Sequence, residues 1–144
     1  MRVENEILIG EMSRLLASGK EVRFSPSGVS MRPFIEGDRD SVVLRQLERA
    51  PKRGDIVLAK AIAGNGQAMY VLHRLVRIEG KRYVLQGDGN LAGEEYCGRE
   101  DILGTVVAIE GADGKKKRVT DGRGWYWFKP VRRWLLKIYR HTMI

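Results

Sequence analysis

The sequence predicts a mainly β protein: a coiled, antiparallel sheet domain with one helix before it and an amphipathic helix after it. Three observations carry that expectation. Apolar residues recur at helical spacing only near the two ends, six short β-forming runs lie between them, and glycine turns separate those runs.

The leading helix is expected over residues 3–18. Leu8, Met12, Leu15 and Leu16 recur at helical spacing, Glu4, Glu6, Glu11 and Arg14 occupy other faces, and Gly19 is a natural stop. The strands are expected at Glu21–Ser25, Ser41–Leu47, Asp55–Lys60, Ala68–Glu79, Arg82–Gln86 and Leu103–Glu110. Gly37-Asp38, Gly54-Asp55, Gly64-Asn65-Gly66, Glu79-Gly80 and Gly111–Gly114 mark the turns between them. After Gly122–Gly124 the texture changes. Trp125, Trp127 and Trp134 are the chain's three tryptophans, and Val131–His141 places Val131, Trp134, Leu135 and Ile138 on one helical face. The organisation is thus an N-terminal helix over 1–19, a β domain over 20–120 and a basic aromatic tail over 121–144.

At 144 residues the chain is long enough to bury one sizeable core without staples. Its single cysteine, Cys97, cannot form an internal disulfide, which fits a reducing compartment. No stretch approaches the ~20 apolar residues of a spanning helix, and Ile7-Leu8-Ile9 sits among glutamates, unlike a signal peptide. A cytoplasmic location is therefore expected, with a peripheral membrane contact through the tail as one of the tail's possible roles. The net charge of +8 concentrates late, in Lys115–Arg118 and then in Arg123, Lys129, Arg132, Arg133, Lys137 and Arg140. Such a tail fits three roles: an element docked on the body, a membrane-surface helix, or a stacking platform for single-stranded nucleic acid. The nucleic-acid role is the weakest of the three.

Three segments carry candidate chemistry. In Phe24-Ser25-Pro26-Ser27-Gly28-Val29-Ser30-Met31-Arg32-Pro33, a serine follows a small glycine loop. Such a loop offers a reachable hydroxyl and backbone donors for an oxyanion. In Tyr70-Val71-Leu72-His73-Arg74-Leu75-Val76, an imidazole that titrates near neutral pH sits inside an apolar strand, able to accept a serine proton. In Leu85-Gln86-Gly87-Asp88-Gly89-Asn90, a carboxylate at a strand end could cap a turn or orient that imidazole. His141, beside Arg140, reads as a solvated residue of the tail.

Taken together and in this order, the segments resemble the LexA/signal-peptidase superfamily. Ser30-Met31-Arg32-Pro33 followed by Gly37-Asp38 is similar to that superfamily's Ser-Met-x-Pro … Gly-Asp box. Lys52-Arg53-Gly54-Asp55-Ile56-Val57 resembles its Gly-Asp-Ile-Val strand, and Leu103-Gly104-Thr105-Val106-Val107 its closing strand. Val71-Leu72-His73-Arg74-Leu75 aligns with the segment of the general base, which is lysine in LexA-like repressors and ordinary bacterial signal peptidases. Histidine there, with Gly87-Asp88-Gly89-Asn90, is similar to the endoplasmic-reticulum-type signal peptidases. The resemblance spans roughly Phe24 to Ile109.

It implies a serine endopeptidase acting on a peptide or protein substrate, without metal or cofactor. Ser30 would be the nucleophile, His73 the base and Asp88 the orienting acid, with Gly28 and Met31 in the oxyanion and substrate loop. The same enzymes carry a second acid about six residues beyond the Gly-Asp motif. Glu94 holds that place and is the alternative third member. Lys60 resembles a non-catalytic lysine, and Cys97 is a weaker nucleophile candidate. Gly28 stands where many bacterial enzymes have a serine hydroxyl, so backbone N–H groups would serve the oxyanion. The family's N-terminal membrane helix is replaced by the 3–18 segment. Neither a helix-turn-helix pair nor an Ala-Gly or Cys-Gly bond lies ahead of Ser30, so LexA-type self-cleavage is not expected. A catalytically silent binding or regulatory module, for nucleic acid or an acidic protein, is the alternative function.

Overall fold

The computed structural model describes residues 2–3, 6–26, 28, 30–37, 39–90 and 93–122. The expected C-terminal helix, the tail from residue 123 onward and His141 lie outside the described residues. The described chain runs β1 (Arg2–Val3), α1 (Glu6–Ala17), β2 (Val22–Phe24), β3 (Ser41–Arg45), β4 (Ile56–Ala63) and β5 (Ala68–Glu79). It continues through β6 (Arg82–Gln86), β7 (Glu95–Cys97), a 3₁₀ turn at Arg99–Asp101, β8 (Ile102–Glu110) and β9 (Lys116–Lys117). Every pairing among these strands is antiparallel. The protein is mainly β, as its alternating runs require.

The sheet closes on itself into a small barrel. Strand β4 pairs with β5, β5 with β6, β6 with β7, and β7 returns to β4. From β4 the sheet continues outward through β8 and β3 to β2. Strand side chains alternate between faces, and β4 shows this most plainly. Val57, Ala59 and Ala61 join Val71, Leu75, Leu85 and Cys97 in one cluster, all drawn from the four ring strands. Small residues on β4 suit a narrow barrel interior. Ile56 and Leu58 face the opposite way, into a second cluster with Leu72, Leu44, Val106 and the helix.

Helix α1 contributes Ile9, Met12 and Leu16, each at most 2% exposed. The apolar stripe therefore runs through Ile9 rather than Leu8, which is 43% exposed at its margin. The helix begins at Glu6, later than expected, because Arg2 and Val3 pair as a strand with Val71 and Tyr70 of β5. Gly104 lets α1 lie close to the sheet. A Cβ there would stand 3.1 Å from a Leu16 methyl and 2.9 Å from the Arg45 carbonyl oxygen. Three short elements had no signal in the periodicity. Two of them, β1 and β9, are only two residues long, and β7 has three. Their pairing comes from neighbours already in place, since so few residues cannot hold a strand by propensity alone.

Two substitutions test this packing. Leu16→Ala should lower unfolding free energy by about 2–5 kcal/mol through the cavity it leaves. Gly104→Ala should cost about 1–3 kcal/mol by overpacking against backbone. Urea unfolding followed by far-UV circular dichroism measures both, and wild-type midpoints would refute the packing described.

Candidate active site

Ser30 opens the turn that follows the glycine loop. Gly28 adopts a φ of +101°, a conformation side chains rarely take. It also packs against Gly37, where a Cβ would stand 2.6 Å from the Gly28 nitrogen. Past Ser30 the chain turns at once, with Phe34 and Ile35 N–H both donating to the Met31 carbonyl at 2.9 Å. Arg32 braces this turn on Glu36, its Nη2 donating at 2.7 Å. The serine is half-buried.

His73 lies on β5 between Leu72 and Arg74 and is 4% exposed. Its Nε2 is 3.0 Å from Ser30 Oγ. Its Nδ1 is 3.1 Å from each oxygen of Glu95 on β7. The partners fix the tautomer. A carboxylate only accepts, so Nδ1 carries the proton and donates to Glu95. Nε2 of the neutral ring then accepts from the Ser30 hydroxyl. Burial holds His73 below the ordinary histidine value near 6.5, with the Glu95 hydrogen bond opposing that shift. The ring is therefore neutral, and able to take a proton, at neutral pH.

Asp88 is not the acid on His73. It is completely buried and forms a bidentate pair with Arg74, whose Nε donates to Oδ1 at 2.9 Å and whose Nη2 donates to Oδ2 at 2.6 Å. The reason is strand geometry. Adjacent residues on β5 point to opposite faces, so His73 and Arg74 cannot share a partner on one side. Glu94, the alternative, projects outward and pairs with Arg77, which donates at 2.9 Å and 3.1 Å. Glu95 is the residue that the sequence argument missed. The structure places it by alternation: Glu95 and Cys97 share a face on β7, and the buried cysteine marks that face as inward.

The Asp88 turn nonetheless touches the serine. Gly89 N–H donates to the Ser30 carbonyl at 2.6 Å, and Asp88 N–H meets Met31 Sδ at 3.4 Å. A Cβ on Gly87 would collide with the Ser30 carbonyl oxygen, so only glycine admits this approach. Met31 itself is fully buried, and its side chain belongs to the core rather than to a substrate surface. Arg74 extends the same network. Nη1 donates to the Gly54 carbonyl at 2.9 Å and also to the Thr120 carbonyl, while the guanidinium stacks 5.1 Å from the Phe34 ring centre.

The remaining candidates fall away from the site. Cys97 is buried, and burial, with Asp101 and Glu100 nearby, pushes its thiol up to about 12, unsuited to nucleophilic work. Lys60 is exposed over the Tyr70 ring. Among the described residues no three His, Cys, Asp or Glu side chains are grouped to hold a metal ion, and no helix is long and apolar enough to cross a membrane. Comparison with protein-family models, with curated proteins and with solved structures returned no match.

These partnerships make separable predictions. Asp88→Asn should destabilise the fold by about 3–5 kcal/mol, because Arg74 would be left buried without its counter-charge. Glu94→Gln, losing a surface pair, should change stability by less than about 1 kcal/mol. Histidine linkage gives a third. With the folded value of His73 lowered, the unfolded chain binds a proton that the folded chain does not. Stability should therefore fall as pH drops below about 6.5, until the lowered value is passed. Urea midpoints of wild type and His73→Gln from about pH 5 to 8 check this; equal slopes would contradict it.

Proposed function

We propose that this chain is a serine endopeptidase of the LexA/signal-peptidase type, working through Ser30, His73 and Glu95. The observation that carries the proposal is the 3.0 Å contact between Ser30 Oγ and His73 Nε2, with Glu95 on the far side of the ring. A hydroxyl, a neutral buried imidazole and a carboxylate in line are the parts of a base-activated nucleophile.

The chemistry follows from that line. Ser30 Oγ attacks the scissile carbonyl carbon as His73 Nε2 removes its proton. Backbone N–H groups near Ser30 stabilise the developing oxyanion. The imidazolium then gives the proton to the leaving amine, and the amine departs. Water, deprotonated by the same nitrogen, hydrolyses the acyl-enzyme and frees Ser30. Glu95 holds Nδ1–H throughout and stabilises the transient imidazolium, which burial alone would disfavour. A lysine base would need desolvation but no acid. A histidine base gains from one, and Glu95 fills that role.

The LexA-type fold itself is part of the proposal. The closed antiparallel sheet supports it, as does the way the Ser30 and Asp88 turns meet beside β5. The location proposed is cytoplasmic.

A fluorophosphonate probe tests the reading directly. Wild type should be labelled at Ser30, and both Ser30→Ala and His73→Ala should abolish labelling. Glu95→Gln should slow it by about 10²–10⁴-fold while leaving Ser30 in place. The labelling rate should rise with pH through a titration below about 6.5, since only neutral His73 accepts the proton. An unlabelled wild type would favour a silent binding module instead.

A further inference from the structure

Strand β1 lies against the part of β5 that leads to the dyad. Arg2 pairs with Val71 and Val3 with Tyr70. One edge of β5 is taken by β4 from Ala68 to Arg74, so β1 must lie on the other edge, where β6 begins at Arg74. His73 sits between these two occupants, two residues beyond Val71. At ~3.3–3.4 Å per residue, β1 ends within about 7 Å of it along the strand.

The direction of β1 matters. It runs antiparallel to β5, so stepping back from Val3 to Arg2 advances from Tyr70 to Val71, toward His73. A peptide lying in this place turns its amino-terminal direction to the dyad. That is the polarity of the leaving half of a cleaved chain, whose new amine receives the proton from His73. An extended peptide recognised by strand addition draws its affinity from main-chain hydrogen bonds along such an edge.

From this we propose that β1 is an intramolecular occupant of the substrate's acceptor edge, covering the register that the leaving half of an extended peptide takes on β5. The inference rests on Ser30 and His73 being a working dyad. Substrate must displace β1, so β1 weakens peptide binding without altering the chemistry at Ser30. Its shortness suits the role. A two-residue strand contributes few ladder bonds and opens at low cost, whereas β4, paired with β5 over seven residues, does not.

The test separates binding from chemistry. Val3→Pro removes a backbone donor and resists pairing, and a chain lacking residues 2–5 removes β1 outright should the proline variant misfold. Each is compared with the parent chain on a randomised, internally quenched octapeptide library and with a small fluorophosphonate. If β1 leaves the edge open in about a tenth to a fifth of molecules, either change should lower KM about five- to tenfold. The turnover number and the fluorophosphonate rate should stay within about twofold, because at saturation the peptide holds the edge in every variant and the small probe does not use it. An unchanged or raised KM, with fluorophosphonate labelling intact, overturns the proposal and leaves the dyad standing. A parent chain that the small probe does not label at all overturns the dyad, and this inference with it.

Discussion

The buried pair between Arg74 and Asp88 is the interaction on which the rest of this structure depends. One guanidinium, 1% exposed, satisfies a carboxylate, the Gly54 carbonyl before β4 and the Thr120 carbonyl near the end of the described chain, with Phe34 against its face. Three segments far apart in sequence are thereby held at one point. Two charges without solvent are tolerable only when each is fully partnered, and here the planar fork of arginine supplies the geometry. Lysine would offer a point charge and could not bind so many acceptors in fixed directions.

That clamp positions the serine without touching its hydroxyl. Asp88 is fixed by Arg74, the next residue donates to the Ser30 carbonyl, and Gly87 lets the two turns meet. Because Arg74 follows His73 on one strand, the clamp and the imidazole are set together. Moving β5 would move both. Alternation then separates their duties: one residue faces a structural acid and its neighbour faces Glu95. Two carboxylates near one serine thus have different roles because they approach opposite faces of β5. The neutral buried histidine follows from the same arrangement. Burial favours the uncharged ring, and Glu95 restrains that preference while fixing the tautomer.

Much of the fold was legible because its signals are local. Ala68–Glu79 and Arg82–Gln86 have the bounds expected from their β-branched and aromatic content and their glycine turn. The helix face was nearly so; only the choice of Leu8 over Ile9 depended on where the sheet lies, and periodicity alone cannot orient a helix within one residue. Strands β1, β7 and β9 were invisible because two or three residues carry no period and, unlike β2, none lay within an expected longer run. Of these, β7 matters most. Without that strand no local pattern distinguishes Glu95, which faces His73, from Glu94, which faces Arg77.

The sequence by itself determined that a hydroxyl in a glycine loop and an imidazole in an apolar strand were the groups to examine, since residue chemistry and local backbone freedom are properties of the chain. It also determined the mainly β class, through alternation and turns. Only the tertiary structure decided that these two groups meet at 3.0 Å, that Glu95 completes the line and that Asp88 holds Arg74 instead. Such pairings join residues up to 43 positions apart, and which carboxylate faces which ring depends on how strands close into a barrel, a geometry no local pattern encodes.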